Sequence, residues 1–296
     1  MAARSLSSGF VFAVLGAAGF SCKAVFVKAA FRYGVDTETL LALRMTYALP
    51  LFLLLGFTAE STATTPIRAA DWRALALLGA LGYYGSSYLD FLGLEHISAA
   101  LERVILFIYP TIVVLFTAWR VRRAPTRRTW GALLLCYAGV ALAVTHELRA
   151  GTGDVLAGIA LVFASAVLYA SYLLRVGPLL ARLGSARVAA WATTVACVLA
   201  VAQFLALRPF SSLAAQPWPV HALSAAMAVF STVLPIWLVS EAISRLGAGR
   251  TAIIGSLGPV MTMLLAWLIL GESLGVLQIA GAALVVFGVR LVAVET

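Results

Sequence analysis

Stretches of about twenty mostly apolar residues recur along the whole chain, near 9–31, 39–58, 72–94, 98–119, 128–146, 154–174, 186–207, 219–241, 249–270 and 274–293. Breaker residues separate them: Gly34 with Asp36, Thr64-Thr65-Pro66, Ala124-Pro125-Thr126, Gly151-Thr152-Gly153, Gly184-Ser185, Pro217-Trp218-Pro219 and Gly271-Glu272. These connections are too short to hold a soluble domain. A bilayer core admits only backbones that satisfy their own hydrogen bonds, so repeated runs of this length predict membrane-spanning helices. The expected fold is all-α, a polytopic membrane protein of ten transmembrane helices.

Composition agrees. The chain is 62% hydrophobic and 11% charged, against about 45–50% and about 25% in soluble domains. The net charge is +9, and every basic residue except Lys23 and Lys28 is arginine. The arginines lie in short segments between apolar runs, as in cytoplasmic loops, and offer no basic face for nucleic acid. Alternate connections hold most of them, above all Arg120, Arg122, Arg123, Arg127 and Arg128. The opposite connections hold Lys28, Arg32, Arg103, Arg149 and Arg208. This asymmetry predicts cytoplasmic termini in a bacterial inner (plasma) membrane. Cys22, Cys136 and Cys197 fall inside apolar runs, and His96, His146 and His221 lie far apart, so no metal site is expected. Arg4 and the run ending in Cys22 resemble a signal peptide, but the run resumes after Lys23 and reads as a span.

An internal repeat organises the spans. Gly9 matches Gly158, Pro110 matches Pro259 and Gly139 matches Gly288, each pair 149 residues apart. The expected halves are 1–148 and 149–296, five spans each. Because five is odd, the second half should enter the membrane with opposite polarity, an inverted repeat of the kind that places a substrate site near the midplane.

At these landmarks the sequence resembles the drug/metabolite transporter superfamily, in particular its ten-helix EamA-type exporters. The matching stretches are LALRMTYALP around Arg44, IYPTIVVLFTAW around Pro110, and residues 257–288 with Pro259, Gly271-Glu272 and Gly281. Where the family often carries a Gly-Glu after span 4, this chain has Val121-Arg122-Arg123. The resemblance implies a secondary transporter of small metabolites, aromatic amino acids among them, with spans 1, 3, 4, 6, 8 and 9 around a central cavity.

The residues themselves locate polar faces. Tyr83, Ser86, Ser87 and Asp90 share one helical face, and Tyr84 and Tyr88 form an adjacent stripe. Gly79, Gly82 and Gly85 supply a small-residue surface for another helix. A charge at the bilayer centre costs at least about 2.5–3.5 kcal/mol, so Asp90 needs a partner, and Lys23 is at similar depth in span 1. Either the two pair, or Lys23 reaches the outer interface. Lys23 corresponds at the 149 offset to Tyr172, which shares a face with Tyr169. Candidate substrate-binding residues are Lys23, Tyr83, Ser87, Tyr88, Asp90, Tyr109, Tyr169, Tyr172 and Trp237. Lys23 would take a carboxylate and Asp90 an ammonium group. Pro110, Pro235 and Pro259 are candidate hinges. Arg44, Glu102 and Arg103 either extend the same polar cluster or form an external gate of salt bridges; Arg44 also reads as a brace between helices, Glu102 with Arg103 as a cap of span 4, and Glu241 with Arg245 as an ion pair.

No cofactor is expected. Gly247 to Ala252 mimics a dinucleotide fingerprint without the strand that motif needs, no ATP-binding loop occurs, and no nucleophile elbow is present. The expected partners are a small-molecule substrate and the lipid bilayer, with the chain acting as a monomer and not as an enzyme. Multidrug export, phosphorylated-metabolite exchange and a membrane-embedded lipid enzyme are the alternatives.

Overall fold

The computed structural model describes residues 2–293 except 123, 125, 151–153, 247–250, 252, 253 and 256. The Gly151-Thr152-Gly153 turn, Arg123 and most of the Gly247–Ala252 stretch lie outside the described residues. Among those described no strand occurs, and the helices follow one another in segments labelled here α1 to α10. These are α1 (Ala2–Phe31), α2 (Thr37–Ser61), α3 (Ala69–Leu78 continuing through Gly79–Gly85 to Ser86–His96), α4 (Ala99–Leu106 and Tyr109–Val121) and α5 (Arg127–Ala150). The second series is α6 (Val155–Leu183), α7 (Ser185–Leu207), α8 (Trp218–Ala228 through Val229–Val233 to Leu234–Leu246), α9 (Gly258–Leu265 and Ala266–Leu270) and α10 (Val276–Ala293). By length and composition, 7 helices among the described residues can cross a membrane, and Gly258–Leu270 and Val276–Leu291 are apolar but shorter.

The helix starts follow from capping. Asp36 accepts from the Thr39 amide at 2.8 Å to open α2, Ser98 from Leu101 at 3.1 Å to open α4, and Asp154 from Ala157 at 3.2 Å to open α6. Gly34, Gly184 and Gly271 take φ of 75°, 81° and 71° at the turns, which glycine adopts without steric cost.

Packing obeys the 149-residue offset. α5 packs on α10, α2 on α7 and α4 on α9; α1 packs on α8 and α3 on α6. Exchanging the halves maps the first three pairs onto themselves and the last two onto each other. The same exchange holds at single residues. A Cβ on Gly139 would lie 2.4 Å from the Gly281 carbonyl oxygen, and one on Gly288 would lie 2.7 Å from that of Ala132. Adding or subtracting 149 turns one contact into the other. Cys136 Sγ also faces the carbonyl of Val285, its own counterpart, at 3.7 Å. The backbone repeats too: α3 and α8 widen into π-helical turns at Gly79–Gly85 and Val229–Val233, corresponding stretches of the two halves.

The proline positions differ from simple mid-helix kinks. Pro110 and Pro259 each sit in the first turn of a new helical segment, where the missing amide hydrogen would lack a partner in any case. Pro235 directly follows the π turn of α8.

Candidate functional site

Four charged side chains from α1, α3 and α4 meet inside the bundle. Lys23 Nζ donates to Asp90 Oδ2 at 2.6 Å and lies 3.5 Å from Glu102 Oε1. Arg103 Nε is 3.9 Å from Glu102 Oε2. Asp90 is 1% exposed and Glu102 0%, so this is an interior cluster and not an interfacial one. Lys23 therefore turns inward to a partner instead of reaching the interface. Glu102 and Arg103, for which the sequence left the cluster, a gate and a cap open, belong to the same buried group.

Arg103 also fixes the surrounding helices. Its Nε donates to Thr262 Oγ1 on α9 at 3.1 Å, and its guanidinium donates to the carbonyl of Phe20 on α1. Thr262 donates to the Ser21 carbonyl at 3.2 Å, and Ser21 to that of Gly258 at 3.1 Å. One arginine thus joins α1, α4 and α9 around the carboxylates. Arg44, buried on α2, donates to Thr232 on α8 from Nε at 3.2 Å and from its terminal nitrogen at 3.0 Å, and lies over the Phe91 ring at 5.4 Å. It is a brace beside Asp90.

Tyrosines continue the site. Tyr109 meets Tyr169 edge to face, with ring centroids 5.0 Å apart. Tyr169 stacks on Tyr172 at 5.9 Å, and Tyr172 meets Tyr83 at 5.2 Å with the two hydroxyls 3.1 Å apart. Tyr109 opens the second segment of α4, six residues on from Arg103, so the row of rings and the charges share that helix. Gly82 makes the row possible, since a Cβ there would fall 2.5 Å from the Tyr172 ring. Gly79 likewise admits the Ala192 carbonyl of α7.

Other sequence candidates lie elsewhere. Ser86, not Ser87, bonds across to α6, through Ser165 at 3.0 Å. Tyr88 donates to Glu38 at 3.0 Å and stacks on Tyr84, away from the cluster. Trp237 is 54% exposed and meets Phe12 edge to face at 5.8 Å. Arg245, paired with Glu241 at 2.8 Å, lies over the same Phe12 ring.

Two cavities occupy the ends of the bundle, and neither is lined by Lys23, Asp90, Glu102 or Arg103. One, of about 650 Å³, is lined by Lys28, Arg32, Glu95, Glu147 and Glu272 among others. Its floor is the α3–α4 turn, where Glu147 accepts from the Ser98 amide at 2.7 Å and Glu272 from the Ala99 amide at 3.0 Å. Lys28 donates to the carbonyls of Leu94 and Ile97, both at 3.1 Å. The other, of about 620 Å³, lies at the α4–α5 turn. Among the described residues no group of His, Cys, Asp and Glu is arranged to hold a metal ion.

A multi-span helical bundle with a two-fold internal repeat and a charged group in its interior defines an integral membrane protein of the solute-transporting class. The chain belongs to the EamA-like transporter family, whose profile matches residues 7–145 and again 156–294. It is 32% identical over 292 residues to the protein described as "Uncharacterized transporter YcbK" of Bacillus subtilis (strain 168), covering 96% of this chain and 92% of that one. It is 26% identical over 269 residues to "Uncharacterized transporter sll1319" of Synechocystis sp., covering 86% and 79%. A solved crystal structure superposes with a TM-score of 0.64 at 18% identity and 96% coverage of each chain, a likeness of fold.

Proposed function

We propose that this transporter exports small metabolites, namely amino acids, aromatic or neutral hydrophobic, by alternating access across a bacterial inner membrane. In this reading all ten helical segments cross the bilayer, the halves 1–148 and 149–296 insert with opposite polarity, and both termini are cytoplasmic. The observation that carries it is the buried mixed-charge cluster beside a row of tyrosine rings. A zwitterion would exchange with the internal ion pair, its carboxylate to Lys23 and Arg103 and its ammonium to Asp90 and Glu102. An aromatic or aliphatic side chain would then lie along Tyr109 and Tyr169, where a ring pair contributes about 0.5–1.5 kcal/mol beyond area burial. The segment breaks at Pro110 and Pro259 and the π turn before Pro235 are the proposed hinges. The cavity floored by the α3–α4 turn is the release vestibule, and the contacts of Glu147 and Glu272 hold it shut.

Counterflow into proteoliposomes with labelled amino acids, organic cations and sugar phosphates tests the reading. Saturable exchange of a neutral amino acid, lost in Lys23→Met and in Asp90→Asn, is the expected result. Saturable exchange of cations or sugar phosphates alone would replace the substrate class with the multidrug or phosphorylated-metabolite alternative. No exchange of any class would remove the transport assignment to this site.

A further inference from the structure

The cavity at the α4–α5 turn has a different chemistry from the interior cluster. Its lower wall is Leu115, Trp119 and Trp130, with the two indoles 73% and 53% exposed. Its mouth carries Arg120 and Arg122, and Arg127 and Arg128 follow in the first turn of α5. On the neighbouring helix ends Arg182 pairs with Asp71, Arg187 with Glu60 and Arg245 with Glu241. None of the ion pairs among the described residues includes Arg120, Arg122, Arg127 or Arg128. The paired arginines have their counter-charge within the chain. Those at this turn have none among the described residues.

The backbone supplies a second, independent observation. Arg122 has φ of 54°, and it is the sole residue other than glycine with positive φ among those described. Its counterpart 149 residues on is Gly271, with φ of 71°. Both terminate a helix in the left-handed conformation, which crowds the Cβ of an L residue and suits glycine. The first half thus makes the same turn with a residue that opposes it. Strain of this kind points to a use for the side chain, and here Arg122 lines a cavity that it shares with Trp119 and Trp130.

We propose that this cavity binds one anionic glycerophospholipid. Arg120 and Arg122 hold its phosphate, and an acyl chain lies along Leu115, Trp119 and Trp130. Guanidinium groups bind phosphate oxygens bidentately. Exposed tryptophans at helix ends occupy the headgroup level of a membrane, and a basic pocket between helices there accepts an anionic headgroup. The apolar wall continuing along α4 towards Leu115 selects a lipid over free phosphate, because inorganic phosphate would leave the indoles uncovered. The site is distinct from the interior cluster and does not depend on the substrate assignment.

The test uses the full chain purified in mild detergent. Thermal unfolding is followed with added phosphatidylglycerol, phosphatidylcholine or inorganic phosphate, and native mass spectrometry counts retained lipid. Phosphatidylglycerol should raise Tm and leave one lipid bound, while the other two additions do neither. Arg120→Gln and Arg122→Gln should each weaken that effect about fivefold. Arg122→Gly should raise Tm in lipid-free detergent, because the turn relaxes, yet weaken the response to phosphatidylglycerol to the same degree. Arg175→Gln, an exposed arginine on α6, should change nothing. Equal stabilisation by inorganic phosphate, an equal loss in Arg175→Gln, or an undiminished lipid response in Arg122→Gly would each overturn the assignment.

Discussion

Lys23 serves two carboxylates, and that makes its removal the most informative single change. At an effective dielectric of about 20, its attraction is about 6 kcal/mol to Asp90 at 2.6 Å and about 5 kcal/mol to Glu102 at 3.5 Å. Most of this offsets the cost of burying the charges, so the measurable quantity is what remains when one partner goes. Lys23→Met leaves two nearly inaccessible carboxylates with no ammonium partner, facing only Arg103 and the more distant Arg44, and a broken buried pair costs about 3–5 kcal/mol. Asp90→Asn is milder, about 2 kcal/mol, because Lys23 keeps Glu102 and is itself 15% exposed. The double variant Lys23→Met/Asp90→Asn restores one acid, Glu102, to one base, Arg103. Its loss should fall at least about 1 kcal/mol below the sum of the single losses. Reversible unfolding in mixed SDS and mild-detergent micelles, read by tryptophan fluorescence, measures all three. A loss below about 1 kcal/mol in Lys23→Met, a larger loss in Asp90→Asn, or strict additivity in the double variant would refute the account of a shared lysine.

The remaining predictions concern the packing, the vestibule and the aromatic row. Gly139→Ala and Gly281→Ala should each cost about 1–3 kcal/mol, since either Cβ would lie within 2.4 Å of a carbonyl oxygen across the α5–α10 crossing. Gly131→Ala, on α5 with nothing within 4 Å of its Cβ, should instead gain about 1 kcal/mol in the same assay. Burial pushes the Glu272 carboxyl above its usual range, against the lowering effect of the Ala99 and Ala100 amides and of Lys28. A raised folded-state value favours the folded protein at low pH, and that contribution is lost as pH rises through the folded pKa. The stability difference between wild type and Glu272→Gln should therefore shrink on acidification from neutral pH, and a pH-independent Tm difference would contradict it. Tyr169→Ala should raise KM for an aromatic amino acid about 2- to 12-fold with little change in kcat, read in counterflow.

The helical segments were legible because hydropathy and breaker residues both mark them, and the two-fold packing was legible from three landmarks sharing one offset. The charge cluster was half legible. The similar depth of Lys23 and Asp90, past the middle of their spans, follows from their positions, whereas Glu102 stands one turn from the start of α4, where the cluster, a gate and an interfacial cap all fit. It is buried because α4 packs there on α1 and α9, with Arg103 bonded to Phe20 and Thr262 beside it, contacts between residues far apart in the chain. The tyrosine row was anticipated as a set, but aromatic composition gives no direction, and Trp237 and Tyr88 point elsewhere. The π turn of α8 has Pro235 to announce it. That of α3 has no proline, and its sign in the sequence is the spacing of Gly79, Gly82 and Gly85, read there only as a packing surface. At position 122 the sequence departs from Gly-Glu while the backbone keeps the turn, which residue identity alone conceals.

The frame is symmetric and the chemistry placed on it is not. Across the 149 offset Lys23 becomes Tyr172, Asp90 becomes Val239 and Glu102 becomes Thr251. The first half contributes the charges, and the second contributes Tyr169 and Tyr172 to the ring row. A two-fold bundle can present the same backbone geometry to either side of a membrane, but a ligand bound across its axis would meet one polar end and one aromatic end. That polarity suits a small molecule with a charged head and an apolar side chain. It also predicts that moving the cluster across the axis, by Lys23→Tyr with Tyr172→Lys, fails. Asp90 and Glu102 remain on α3 and α4, and the displaced ammonium would lie beside Tyr83 and Tyr169 where it needs a carboxylate. Transport by that exchange variant at wild-type rate would show that the interior charges have no side, and the substrate pose built on them would fall.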